Sequence, residues 1–594
     1  MSDKITTITF KYTANIFINA GILGLYKYVK EYKARYQDKY HSLSFNLKNN
    51  QLTISCDELI PLLEDVYYYM GIEMYDTATK KQKEEKLNVF YIEDKNKFEP
   101  FPKMNTYGLT ELLTNNAQGT TRKAANTYKI ATLKKENENL ANKIQSYFET
   151  NNLKMLSKVY LNESYTKITR LEIDEDYLME GKERCPLTNE CFKKLVSPKN
   201  TSPFIKGLQS FNTFLTTESN KISLKALYAI RFSPVYCMYG YRNNYETIVC
   251  NFYNSNSLQS LYDIYKTIKT KPKAELEETN YLTNIKFHNF KIAKKSGEDS
   301  EIETNKDAIW DIEITIMLLY TFFKQKFEGE LVNEEEDYDS LLEDFDDLFS
   351  YPISLVSLKA DQFSGTLRPN YYQEFDKVKF VLGLFFKLEA KYKIPFEDVW
   401  KGLRLNTSKA QSLKSGKTYS KGLAVERQIR AAVFENVTKG KSILNQIEKL
   451  FFESYKILFD NKIFGGYRSY KKLLQFLKIY ENSIDNMEKE QQEKVVKLGH
   501  SIGIKILNFE NAKEDQSIKR ANAKNGRKYI IRLHNARTLE QFTEAIIGIM
   551  QKFGLSNKAI ETVSQDNFIM VRQYAVIGAL NVINGFLSAN KNNN

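Results

Sequence analysis

The sequence predicts an α+β protein that is predominantly helical, with a mixed N-terminal domain of small sheets and loop insertions followed by a C-terminal helical bundle. Three observations predict this. Period-two alternation of apolar residues is confined to the early chain, apolar steps of three and four dominate after residue 366, and an acidic block separates the two textures. At 594 residues the chain exceeds what one core serves at ~100–200 residues per domain, so several domains are expected. The texture places them at 1–365 (mixed, with a Cys-bearing insertion at about 180–255), 366–486 (basic and helical) and 487–594 (a smaller helical bundle).

In chain order, Ile5 to Phe10 reads as a strand, and Asn15 to Tyr36 carries Phe17, Ile22, Leu25 and Val29 at helical spacing. Leu43, Phe45 and Leu47 alternate before Asn49-Asn50, and Leu52 and Ile54 alternate after it, which is a hairpin pattern. Ser164 to Glu172 is a further strand candidate, while 115–123 and 197–203 read as loops. Between Glu328 and Asp347 lie 11 acidic residues and no Lys or Arg, a block that repels itself and suits a solvated loop or frayed helix. Phe375, Val378, Leu382, Phe385 and Leu388 then mark an amphipathic helix, as do the apolar steps from Ile443 to Leu458 and from Leu539 to Phe553. Gly-containing breaks are expected at Phe464-Gly465-Gly466-Tyr467 and at Lys524-Asn525-Gly526-Arg527.

Charge narrows the partner class. The chain has 86 Lys and Arg against 73 Asp and Glu, a net +13, with 39 Tyr and 37 Phe. Residues 401–480 alone hold 17 basic and 5 acidic residues, and 487–594 hold 16 and 10, so the excess belongs to the C-terminal half. Clustered cations with interleaved aromatics suit a polyanion whose phosphates supply affinity and whose bases stack. The N-terminus lacks a secretory pattern, no apolar run is long enough for a membrane span, and five cysteines are too few for a disulfide framework, so a cytoplasmic protein is expected.

Ser415-Gly416-Lys417-Thr418 resembles the end of a phosphate-binding loop, but Gln411 stands where that motif needs glycine. Lys414, Lys417 and Lys421 remain candidates for backbone phosphate contact. The four histidines form no metal pair, and no nucleophile elbow is present. Cys185, Cys191, Cys237 and Cys250 could supply four thiolates to a structural zinc, although their spacings of five and twelve intervening residues are wider than the usual two. Asp307, Asp311 and Glu313 lie at helical spacing, which a metal-dependent nuclease or toxin could use for Mg²⁺, although a salt-bridged surface helix is the favoured reading. Tyr467, Arg468, Lys471 and Lys472 interleave rings and cations, and Lys519, Arg520, Lys524, Arg527, Lys528, Arg532 and Arg537 cluster within nineteen residues.

The opening Tyr12-Thr13-Ala14-Asn15-Ile16-Phe17-Ile18-Asn19-Ala20-Gly21-Ile22 resembles the N-terminal signature of the Cst-type branch of the Cas-eight proteins, the large subunits of type I-B CRISPR surveillance complexes (Cascade); Ala14 replaces the usual glycine. The cysteine-bearing insertion and the C-terminal Arg532-Leu533-His534-Asn535-Ala536-Arg537, with Asp566-Asn567-Phe568 beyond it, are similar to the same family. The resemblance implies a non-enzymatic protein of antiviral defence that requires no cofactor. It would hold the crRNA 5′ handle, recognise the protospacer-adjacent motif on target double-stranded DNA, stabilise the R-loop and recruit a separate helicase-nuclease beside Cascade backbone subunits. Guide pairing would read the rest of the target. Asn116, Gln118, Gly119, Thr120, Arg122 and Lys123 form a candidate reading loop, since amides read base edges and cations fix phosphate. Related systems translate a small subunit from within the large-subunit gene, and Met487 could start such a product. The remaining alternative is a generic nucleic-acid-binding scaffold outside CRISPR.

Overall fold

The structure is a computed structural model describing residues 4–74, 89–92, 97–100, 126–150, 158–161, 171–196, 221–242, 247–268, 281–283, 291–293, 299–301, 311–327, 343, 345–346, 350–363, 366–403, 416–459, 470–484, 487–512, 515–555 and 563–589. It is an α+β fold in which helix outweighs strand, with small sheets early and a helical C-terminal region. Two compact units form: residues 1–286 with 351–374, and residues 287–350 with 375–594. Residues 311–327, in the mixed part of the sequence, thus belong to the second unit, and 366–374 to the first.

The first unit opens with strand β1 (Thr7–Lys11), helix α1 (Ile16–Arg35) and the hairpin β2 (Ser44–Lys48) and β3 (Gln51–Ser55), in sheet order β1-β3-β2. Asn49 and Asn50 close the hairpin with φ of 51° and 57°, the left-handed pair a type I′ turn needs and that asparagine tolerates. One face of the sheet buries Leu52 and Ile54 beside their cross-strand partners Phe10 and Ile8 of β1, which is why the alternation is legible. The expected strand at Ile5 begins two residues later.

Helix α1 starts because Asn15 accepts hydrogen bonds from the backbone N–H groups of Phe17 and Ile18 at 3.0 and 3.1 Å, satisfying two orphan donors. Asn19, fully buried, then clamps the incoming chain: its Oδ1 accepts from Thr13 N at 2.9 Å and its Nδ2 donates to Thr13 O at 2.8 Å. Gly21 permits the closest approach in this unit, since a Cβ there would lie 1.9 Å from the carbonyl oxygen of Ala229. That carbonyl belongs to α3 (Leu224–Arg231), which follows α2 (Leu59–Met74) and the small hairpin β4 (Glu183–Arg184) and β5 (Cys191–Phe192). The unit continues through β6 (Met238–Arg242), β7 (Thr247–Ser255), α4 (Leu258–Tyr265), β8 (Tyr281–Thr283), β9 (Ile353–Phe363) and β10 (Thr366–Phe375), whose sheet runs β8-β6-β7-β9-β10. A four-stranded sheet comes from Val89–Ile92, Lys97–Pro100, Asn126–Lys129 and Lys158–Leu161. Of the strand expected at Ser164, residues 164–170 lie outside the described residues, and Leu171 and Glu172 adopt no regular structure.

Among the described residues the second unit contains the helices α5 (Asp311–Phe327), α6 (Val378–Phe386), α7 (Phe396–Gly402), α8 (Gly416–Lys439), α9 (Leu444–Phe459), α10 (Tyr470–Ser483), α11 (Lys489–Leu507), α12 (Gln516–Asn535), α13 (Leu539–Phe553) and α14 (Phe568–Ala589). Helix α14 is central, packing on α9, α11, α12 and α13, and every residue from Tyr574 to Leu580 is buried. The expected break at Lys524 to Arg527 does not occur, because those residues sit in the middle of α12. Gly526 is there for packing: a Cβ would meet Cγ2 of Ile506 on α11 at 2.4 Å. The Phe464 to Tyr467 break and the tail beyond Ala589 lie outside the described residues, as does most of the acidic block, of which Phe345 is buried against Phe327 and Phe386.

Candidate nucleic-acid interface

Helix α12 carries the densest cluster of cations predicted from sequence. Asp515 caps its start, accepting from Ser517 N at 2.8 Å and Ile518 N at 3.2 Å. One face is buried through Asn522, Ala523, Gly526, Ile530 and Leu533. Stepping 100° per residue places Lys524, Lys528 and Arg532 on the opposite side, with Arg520 and Arg527 on the flank. Lys524, Lys528 and Arg532 are exposed, while Lys519, Arg520 and Arg527 are half-buried along their stems. Neighbours three and four residues apart have Cβ atoms about 5–6 Å apart, so the side chains form a continuous cationic ridge.

The ridge is held by bonds behind it. Asn522 donates to the carbonyls of Leu507 and Phe509 at 3.2 and 2.7 Å. Tyr455 on α9 donates to Ala523 O at 2.9 Å, and burial pushes this hydroxyl up to about 12, so it stays a donor at neutral pH. At the end of the helix, His534 Nδ1 lies 2.7 Å from Oε1 of the buried Glu448, with its ring 4.2 Å from Phe452. Glu448 also meets Arg572 of α14 at 3.5 Å.

Three of the ridge cations have no competing carboxylate among the described residues. Among the described residues Lys524, Arg527 and Lys528 make no ion pair, and Lys528 lies 5.2 Å over the Tyr529 ring. Arg532 bridges Glu544 of α13 at 3.0 Å; both side chains are more than half exposed, so this pair contributes about 0–1 kcal/mol and exchanges readily for phosphate. Arg537, beyond the helix, is exposed.

The other candidates fare differently. Lys472 forms an ion pair with Asp398 of α7, so it is already neutralised, whereas Lys471 beside it is exposed. Lys417 and Lys421 fall in the first two turns of α8, so that stretch is helical from Gly416 rather than a loop; their side chains, like all of Lys414, Tyr467 and Arg468, lie outside the described residues. The proposed reading loop Asn116, Gln118, Gly119, Thr120, Arg122 and Lys123 also lies outside them.

The four-cysteine zinc arrangement is not formed: among the described residues no three His, Cys, Asp or Glu side chains come together as metal ligands. Cys237 and Cys250 hydrogen-bond to each other in the core, where burial pushes the Cys237 thiol up. Cys185 instead accepts from Ser223 N at 3.2 Å; burial would raise its pKa, but the hydrogen bonds from Ser223 and Thr188 outweigh it and lower it. Cys191 is exposed. These sulfurs staple local contacts in two separate places. The carboxylate alternative also loses a member, because Glu313 is fully buried on Arg430, which also binds Glu426 at 2.5 Å. Asp307 and the Asp311 side chain lie outside the described residues.

The signature residues prove to be architectural: Asn15 and Asn19 shape the entry to α1, Phe17 packs edge-on against Phe252 at 5.1 Å, and Tyr12 donates to Ser255 O at 2.7 Å. Ala14 lies outside the left-handed region, so alanine is accommodated there without backbone strain. What sequence reasoning missed is a cavity beside this entry, lined in part by Glu190 and Lys225, which lie 35 positions apart and carry no motif. No protein-family model matches the chain, and no curated protein matches it.

Proposed function

We propose that this chain is the non-catalytic large subunit of a type I-B CRISPR surveillance complex, holding the crRNA 5′ handle, recognising a protospacer-adjacent motif on duplex DNA, stabilising the R-loop and passing the displaced strand to a helicase-nuclease. The observation that carries the nucleic-acid part is the α12 ridge, where Lys524 and Lys528 are exposed opposite the buried face and make no ion pair among the described residues. The resemblance of the Tyr12 to Ile22 signature, whose residues have defined jobs at the head of α1, supports the family part. In this reading the ridge meets backbone phosphate without regard to sequence, and motif selection falls to polar loops of the first unit. Cascade backbone subunits are the protein partners, and residues 487–594 correspond to the small-subunit-like end.

The test is co-expression with the products of neighbouring backbone and guide-processing genes. The expected result is a complex that retains crRNA only when this chain is present and binds a target duplex only when it carries the correct flanking motif. A chain that stays outside the crRNA complex, or cleaves DNA with divalent metal on its own, overturns the proposal.

A further inference from the structure

The last turn of α12 carries an imidazole that is held from its inner side. His534 Nδ1 lies 2.7 Å from Oε1 of Glu448 on α9, and the ring packs with its centroid 4.2 Å from that of Phe452, so its inner edge and its tilt are both set. The Glu448 side chain is 1% exposed, whereas 36% of the His534 side chain reaches solvent. With a buried carboxylate accepting at Nδ1, that nitrogen carries the hydrogen, and Nε2 lies on the outer side of the ring. Among the described residues no hydrogen bond reaches Nε2.

The framework behind the ring is closed. Arg572 of α14 donates from Nη1 to Ala536 O at 2.7 Å and from Nη2 to Oε2 of Glu448 at 3.5 Å, so α9, α14 and the end of α12 are tied together behind the imidazole. Both oxygens of Glu448 are thereby engaged. Around this point Lys449 of α9 and Arg537 beyond α12 are exposed and make no ion pair among the described residues. On α13, Glu540 is exposed and Glu544 is taken by Arg532. Arg527 stands two turns before His534 on the same flank of α12, about 10 Å along the axis, and also makes no ion pair among the described residues. Unpaired cations outnumber unpaired carboxylates in this set.

We propose that His534 is a phosphate contact of the nucleic-acid surface and that it binds as the imidazolium, so that backbone binding by the second unit takes up a proton from solvent. A neutral imidazole with its hydrogen on Nδ1 presents a lone pair at Nε2, which repels a phosphate oxygen. Once protonated, Nε2–H donates a charge-assisted hydrogen bond to that oxygen while Nδ1–H stays on Glu448. By linkage, affinity for the backbone rises as pH falls. The ligand is the phosphodiester chain, met without regard to base. This proposal rests on the reading of the chain as a nucleic-acid binder and adds one titrating contact to the fixed charges of α12.

The test follows fluorescence anisotropy of a labelled oligothymidine of about twenty nucleotides with the full chain, at constant ionic strength from about pH 8 to about pH 5.5, a range in which imidazole titrates and neither thymine nor the phosphodiester does. The expected result is about tenfold tighter binding at the acid end, the worth of one hydrogen bond to a charged group. His534→Asn keeps a donor toward Glu448 but takes up no proton, and should lose the gain in acid. His534→Arg carries a fixed charge and should bind tightly across the range with a flat profile. Lys524→Ala with Lys528→Ala should weaken binding at every pH while keeping the wild-type profile. If His534→Asn loosens the bundle in thermal unfolding, His534→Arg decides: a flat profile supports the contact and a wild-type profile overturns it. A flat wild-type profile, or a gain in acid that survives in both His534 variants, overturns the contact while leaving the ridge in place. Absence of binding to the thymidine tract at every pH overturns the contact and the nucleic-acid reading together.

Discussion

Asn15 and Asn19 show how much single side chains decide at the start of this protein. Replacing Asn15 by alanine removes an N-cap and should lower unfolding free energy by about 1 kcal/mol. Asn19→Ala leaves the N–H and C=O of Thr13 without their partner and should cost about 1–3 kcal/mol, read as a shift in urea midpoint. Arg430 is a sharper case: it neutralises two buried carboxylates, so Arg430→Met should destabilise the second unit by about 3–5 kcal/mol. Asp65 adds a pH dependence. Burial raises its pKa, but hydrogen bonds from Lys39, Tyr40 and Tyr32 outweigh this and hold it below the usual carboxylate range. A depressed native pKa means that stability is present above the unfolded carboxylate value of about 3.9 and is lost as pH falls through the native one. Wild type should therefore lose stability below about pH 4 more steeply than Asp65→Asn in urea unfolding measured from pH 7 to pH 3.

At the scale of the element, α12 separates structural from electrostatic roles by face. Lys524→Ala and Lys528→Ala combined should leave helix content unchanged, since alanine is the best helix former and both side chains are exposed opposite the buried face. Their loss should weaken binding to all sequences alike and reduce the slope of log affinity against log salt by about one unit per side chain. Lys472→Ala should leave that slope unchanged, because Asp398 already neutralises Lys472. The helices also differ in how readable they were. Helix α13 has a clear apolar stripe and runs from Leu539 to Phe553 as its spacing implied. Helix α14 has no clear stripe to read, because residues 573–580 in its middle are buried on all sides, and periodicity has little contrast to detect there. The false break at Gly526 has the converse origin: a glycine chosen for close packing looks, along the chain, like one chosen for a turn.

At the scale of the molecule, the segment after Met487 is not closed on itself. Asn584 of α14 donates to Phe451 O of α9 at 3.0 Å, and Glu448 of α9 receives both His534 and Arg572, so α9 completes the core of the C-terminal helices. Met487 is itself buried. A polypeptide of residues 487–594 should therefore unfold at lower temperature and less cooperatively than one of residues 441–594, by circular dichroism. A small subunit started at Met487 would need a partner for the surface that α9 covers. No described helix is long and apolar enough to cross a membrane.

The sequence by itself determined whatever depends on neighbours in the chain. The Asn49-Asn50 hairpin, the capped helix α1, the helical C-terminal half and the cationic cluster of α12 all follow from local periodicity, turn chemistry and charge density. Only the tertiary structure decided which charges are available and which polar groups meet. Lys472 is taken by a carboxylate 74 positions away, Glu313 by an arginine 117 positions away, and the cysteines fall into separate local contacts rather than one metal cluster. The cavity at Lys225 exists because β1, α1, the β4-β5 hairpin and α3 converge there. Pairing of opposite charges and exclusion of water are set by distance in space, which a linear sequence does not encode locally.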